Sequence, residues 1–171
     1  MKTYTVMMII MFLFLPACVS QLAKETPAES QSTTPISIED LDIVTGQVIF
    51  VPAYSEVFYN NRNTLDVTIT LTIHNTDLEH PIIIKSVRYY DTNGNLVHRY
   101  IDQPLQLAPM ATNSIVIAGD DKPGGVGANF IVEWVAETGV YEPVVEAIMV
   151  NTSGQQGISF MSPGRVISQT P

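Results

Sequence analysis

Residues 65–75 alternate strictly. Leu65, Val67, Ile69, Leu71 and Ile73 are separated by Asp66, Thr68, Thr70, Thr72 and His74. Successive side chains of an extended chain point to opposite faces, so this stretch presents one apolar and one polar face. β-branched residues stand on both faces, which favours a pleated strand over a helix. A strand of this kind is one wall of a two-layer body.

Comparable runs recur along the chain. Gly46-Gln47-Val48-Ile49-Phe50-Val51-Pro52 reads as a strand ended by proline, and Ala53 to Tyr59 as a second short apolar stretch. Asn60-Asn61-Arg62-Asn63 is a turn cluster, because asparagine tolerates left-handed backbone. In residues 81–90 the apolar positions change parity between Ile84 and Val87, which predicts a β-bulge. Asn93-Gly94 is a hairpin signal that folds residues 96–101 back on that strand. Further strands are expected at 113–118, 128–136 and 144–150, with 157–161 closing the fold. About seven to nine short strands and no helix predict an antiparallel, immunoglobulin-like β-sandwich. A small closed barrel is the competing shape.

The N-terminus is of another kind. Lys2 precedes a charge-free run, residues 6–15, that is short for a bilayer span and reads as a signal-peptide core. It ends in Leu15-Pro16-Ala17-Cys18, which resembles the lipobox of bacterial lipoproteins. That resemblance implies cleavage before Cys18 and acylation of its sulfur, so the partner is a membrane held through lipidated Cys18. The alternative is a chance cysteine behind an ordinary secretory signal. Acyl chains at ~0.8 kcal/mol per buried methylene give stable anchoring. By analogy with Gram-negative lipoproteins, Val19 in place of an aspartate points to the outer membrane. Cys18 is also the only cysteine, so no intrachain disulfide is possible. Residues 18–42, rich in Thr, Ser, Pro and Glu, read as a flexible tether with a reach of roughly 25 Å. Within it, residues 36–41 are a short lead-in, strand or turn. The expected division is therefore leader 1–17, tether 18–42 and β-sandwich domain 43–171.

Charge narrows the partners. Seventeen acidic against 8 basic residues give a net charge of −9. An acidic surface repels phosphate backbones, so no nucleic-acid partner is expected, and no polybasic patch offers itself to anionic lipid.

Few residues suggest chemistry. Gly124-Gly125-Val126-Gly127-Ala128-Asn129 reads either as a backbone-amide anion cradle or as a tight turn needing positive φ. No Lys-Ser/Thr follows it, and it leads into a strand, which favours the turn. Asp120 and Asp121 with Glu133 or Asp91 are candidate calcium oxygens without a recognisable calcium-loop spacing. His74, His80 and His98 lack any spacing that requires a zinc site. No Gly-x-Ser-x-Gly elbow is present. Tyr89, Tyr90, Tyr100 and Trp134 read as an aromatic contact strip or as core, with Tyr89 and Tyr90 on opposite faces. The candidate binding residues are Gly124, Gly125, Gly127, Asn129, Tyr90 and Trp134. No catalytic set, metal or cofactor is expected.

Several segments together resemble a known family. They are Tyr54-Ser55-Glu56, Asn75-Thr76, Val87-Arg88-Tyr89-Tyr90-Asp91 with Gly94, Gly124-Gly125 with Gly127-Ala128-Asn129-Phe130, Glu133-Trp134 and Gln156-Gly157-Ile158-Ser159-Phe160. The chain is similar, over about residues 46–167, to small bacterial lipoproteins classified as a domain of unknown function. The resemblance implies no activity. Part of it also resembles fibronectin type III-like modules, which bind or space other molecules. The expected protein is a lipid-anchored, periplasm-facing envelope protein, not an enzyme, that binds an envelope protein or glycan. The alternative is an envelope metal-binding protein or hydrolase.

Overall fold

The computed structural model describes residues 33–39, 41–120, 123–153 and 156–170. The leader, Cys18 and the tether up to residue 32 lie outside the described residues. No helix among the described residues is long and apolar enough to cross a membrane.

The strands are β1 Thr33–Pro35, β2 Thr45–Pro52, β3 Glu56–Tyr59, β4 Asn63–Asp66, β5 Thr68–His74, β6 Ile82–Tyr90 and β7 Leu96–Ile101, followed by β8 Leu105–Leu107, β9 Thr112–Ile117, β10 Asn129–Ala136, β11 Val144–Asn151, β12 Ile158–Pro163 and β13 Arg165–Thr170. One sheet runs β1-β8-β6-β10-β2-β13 with β7 also on β6, the second runs β12-β11-β5-β9, and β3 and β4 form a separate two-stranded ribbon. Every pairing is antiparallel. The molecule is the expected all-β sandwich.

The alternating stretch builds the centre of the smaller sheet. Ile69, Leu71 and Ile73 of β5 are fully buried while the threonines between them are half-exposed. They meet Ile49 and Val51 of β2, Phe130, Val132 and Trp134 of β10, and Val87 and Tyr89 of β6 in one cluster. Burying each large aliphatic side chain contributes about 1.5–3 kcal/mol.

The parity change in β6 is a bulge. Glu133 pairs with Ser86 and Trp134 with Ile84, which leaves Lys85 unopposed. Ile84 and Val87 therefore both face the core. The β6–β7 hairpin turns with Gly94 at φ +82°, its amide donating to the Asp91 carbonyl at 3.0 Å. In the β3–β4 turn, Asn60, Asn61 and Arg62 have φ of 36°, 55° and 80°.

Three features differ from the expectation. The alternating run breaks at Val67, whose amide donates to the Ser55 carbonyl at 3.0 Å, so residues 63–66 pair with β3 instead. The sheet also begins earlier than residue 43: β1 lies in the stretch read as tether and pairs Thr33 with Leu107 and Pro35 with Leu105. A backbone ladder at a sheet edge needs no apolar side chains, so the polar sequence gives no sign of it. Finally, residues 157–161 do not close the fold. The chain leaves β12 in one sheet, turns at Gly164, and adds β13 to β2 in the other. With β1, β3, β4, β8 and β13, the described residues form thirteen strands.

Candidate functional site

The connections β5–β6, β8–β9 and β10–β11 meet at one pole. β5, β8 and β10 end there, and β6, β9 and β11 begin there, as the registers Ile82 with Leu107, His74 with Thr112 and Val144 with His74 require. The same pole holds Thr45, opposite Ala136, and Thr33, opposite Leu107.

Two buried polar residues tie these connections together. Asn75 is 2% exposed, and its Nδ2 donates to the carbonyls of His80 (2.9 Å), Leu107 (3.3 Å) and Ala108 (3.0 Å). Its Oδ1 accepts from the Asp77 amide at 3.0 Å. Asp77 Oδ1 accepts from the amides of Glu79 at 2.9 Å and His80 at 2.8 Å, and lies 3.1 Å from His80 Nδ1. Asp77 Oδ2 accepts from the Tyr141 amide at 3.2 Å, and its carbonyl accepts from Met110 at 3.1 Å. These donors, the Glu79 amide first, lower the Asp77 pKa from 3.8 to about 2 against the opposing effect of burial. Thr76 Oγ1 adds a bond to the Glu142 carbonyl at 2.8 Å.

This clasp holds large apolar side chains out of the fold. Leu78 and Tyr141 are each 73% exposed, Met110 62% and Val144 47%. Leu78 and Tyr141 border an open cleft of about 550 Å³ with Asp77 and His80. Met110 and Val144 border a second of about 390 Å³ with His74 and Thr76. Met110 stands at φ +58°, a left-handed conformation that costs a non-glycine residue about 1–2 kcal/mol. Exposed apolar side chains on a pinned backbone are what a contact surface requires.

The sequence-derived candidates lie elsewhere. The glycine loop contains a 3-10 turn, Gly125–Gly127, with Gly125 at φ +71°. Thr92 holds it: the Gly124 carbonyl accepts from Thr92 N at 3.0 Å and Oγ1 at 2.9 Å, and the Gly127 amide donates to Thr92 Oγ1 at 3.0 Å. The Gly125 carbonyl accepts from the Ser55 amide at 3.1 Å. Asn129 and Tyr90 are direct partners in the β10–β6 ladder, so they share this end of the sheet with the loop. Trp134 is in the core, its Nε1 donating to Gln47 Oε1 at 3.3 Å. Tyr89 and Tyr100 pack with Phe130, while Tyr90 stands on the other face. Cys18 lies outside the described residues.

The acidic and histidine candidates separate. Among the described residues, no three His, Cys, Asp or Glu side chains come together as a metal site would require. His74 Nδ1 is 2.8 Å from Thr112 Oγ1, His80 contacts Asp77, and His98 packs on the Tyr100 ring. Glu133 pairs with Arg88 and, at 3.9 Å, with Lys85. Asp91 caps the hairpin through the Asn95 side chain and the Asn95 and Asn93 amides, which hold its pKa below 3.8. Asp121 lies outside the described residues.

In the sequence, Asn75-Thr76-Asp77 follows the alternating stretch, and Asn75-Thr76 enters only through the family resemblance. Its signal is two Asx side chains placed between apolar strands, which bond backbone amides two residues on.

The fold defines a small antiparallel β-sandwich with a hydrogen-bonded pole. The chain belongs to the family described as "Protein of unknown function (DUF3124)", whose model matches residues 46–167. It is also similar in shape to a solved protein of Thermotoga maritima, "Thermotoga maritima 1070". The TM-score is 0.45 at 14% identity, over 70% of this chain and 92% of that one. No curated protein matches the sequence.

Proposed function

We propose that this chain is a lipid-anchored protein of the bacterial envelope that acts by contact and not by chemistry. Its anchor is Cys18, supported by the charge-free run and the Leu15-Pro16-Ala17-Cys18 box. The observation that carries the contact role is the clasped pole, where Leu78, Met110 and Tyr141 are held exposed on a hydrogen-bonded platform. The partner is a component of the envelope, and the protein faces the periplasm, at the outer membrane in a Gram-negative cell.

Two measurements test this. A Cys18→Ser variant is expected to lose detergent-phase partitioning; retention in the membrane fraction removes the anchor. Crosslinking in intact envelopes with mass spectrometry is expected to recover adducts from residues 78, 110 and 141. Stoichiometric zinc or calcium in the purified protein would instead support the metal-binding alternative.

A further inference from the structure

We propose that the partner of the clasped pole is the bilayer itself: Leu78, Met110, Tyr141 and Val144 rest in the interfacial layer of a zwitterionic lipid surface. The docking depends on the membrane-anchored reading above.

Three observations carry it. The first is where the chain enters the fold. Thr33 pairs with Leu107, beside the β8–β9 connection that carries Met110. The described chain therefore enters the fold at the apolar pole. Cys18 to Thr33 reaches at most about 50 Å even when extended. An anchor at Cys18 thus keeps this pole near the headgroups and raises its effective concentration there. Weak interfacial contacts are enough under that condition.

The second is side-chain chemistry. Leu78, Met110 and Val144 are apolar, and Tyr141 has the amphipathic ring that settles at the boundary between acyl chains and headgroups. All four sit on short connections or at a strand start, so their tips enter an interface without opening a ladder.

The third is charge. The three connections at this pole, residues 75–81, 108–111 and 137–143, expose Glu79, Glu137 and Glu142, bury Asp77, and contain no lysine or arginine. An acidic rim repels anionic headgroups and a second copy of itself. Neutral lipid, met by apolar insertion, is the surface that fits.

The test uses the full-length gene product, extracted from its own membrane and reconstituted in phosphatidylcholine vesicles with brominated acyl chains. Tyr141→Trp places an indole at the pole; Phe58→Trp places one on β3, away from it. The Trp134 signal of the unmodified protein is subtracted. The expected result is quenching and a shift to shorter wavelength for Tyr141→Trp, and neither for Phe58→Trp. Adding Leu78→Asp and Met110→Asp should abolish the quenching while circular dichroism stays unchanged. Vesicle-bound protein without quenching at position 141 overturns the docking and leaves the anchor intact. Quenching that survives both aspartates also overturns it, as does a crosslink from position 141 to a second copy or to another protein in place of lipid. Protein that fails to float with vesicles and carries an unmodified Cys18 overturns the anchor, and the docking with it.

Discussion

At the scale of single residues, the amide of Asn75 bonds carbonyls from two connections and a strand. Buried carbonyls that lose a donor carry their full desolvation penalty. Asn75→Ala is therefore expected to lower stability by about 3 kcal/mol in urea unfolding. Asp77 adds a pH dependence. Its folded pKa, about 2, lies below the ordinary 3.8 because backbone amides bond the carboxylate. Its contribution is thus complete above about pH 4 and is lost as pH falls through about 2. Asp77→Asn should be less stable at neutral pH and show a shallower decline between those limits. A smaller decline remains, since the Asp91 pKa is also lowered. An unchanged acid limb in the variant would show that the clasp does not govern acid unfolding.

At the scale of elements, much of the sandwich is legible in the sequence. The period of two fixes β5, the parity change places the bulge at Lys85, and Asn93-Gly94 marks the hairpin. These are local signals, set by side-chain alternation and turn chemistry. β1 and β13 give no such signal: every residue of β13 is exposed, and both strands are held by backbone bonds to distant partners. The pole was illegible for a similar reason. Asn75 and Asp77 look like solvated loop residues until the fold encloses them, and nothing local marks Leu78 or Met110 as exposed. The glycine loop is a turn with one left-handed residue, Gly125, which the run of three glycines suggests without saying which of them takes that conformation. The crossover between the sheets yields a further prediction. A Cβ on Gly164 would lie 2.6 Å from Ile49 Cγ2 and 2.8 Å from the Val145 carbonyl. Gly164→Ala should destabilise the protein by about 1–3 kcal/mol, read as a lower urea midpoint.

At the scale of the whole molecule, polarity of arrangement matters most. The long strands run between a pole of apolar tips and an opposite end formed by the glycine loop, the Asp91 hairpin and the β3–β4 turn. Exposed apolar side chains occur elsewhere too, Phe58 on β3 and Val116 on β9 among them, but at the pole they stand on a backbone fixed by buried side-chain hydrogen bonds. Raising salt should leave the lipid quenching of Tyr141→Trp nearly unchanged, because apolar insertion is not screened. A steep loss of that quenching with salt would point to charge instead.

The three-residue ladder of β1 has a mechanical consequence. Force entering through the N-terminus meets Thr33–Pro35 before it meets β2, which is clamped between β10 and β13. The short ladder yields first and frees the stretch from Thr33 to Val44, whose extended length is about 40 Å; about 20 Å of that is already spanned across the four strand spacings between β1 and β2. A pull on the N-terminus is thus expected to open β1 while the rest of the sheet stays paired.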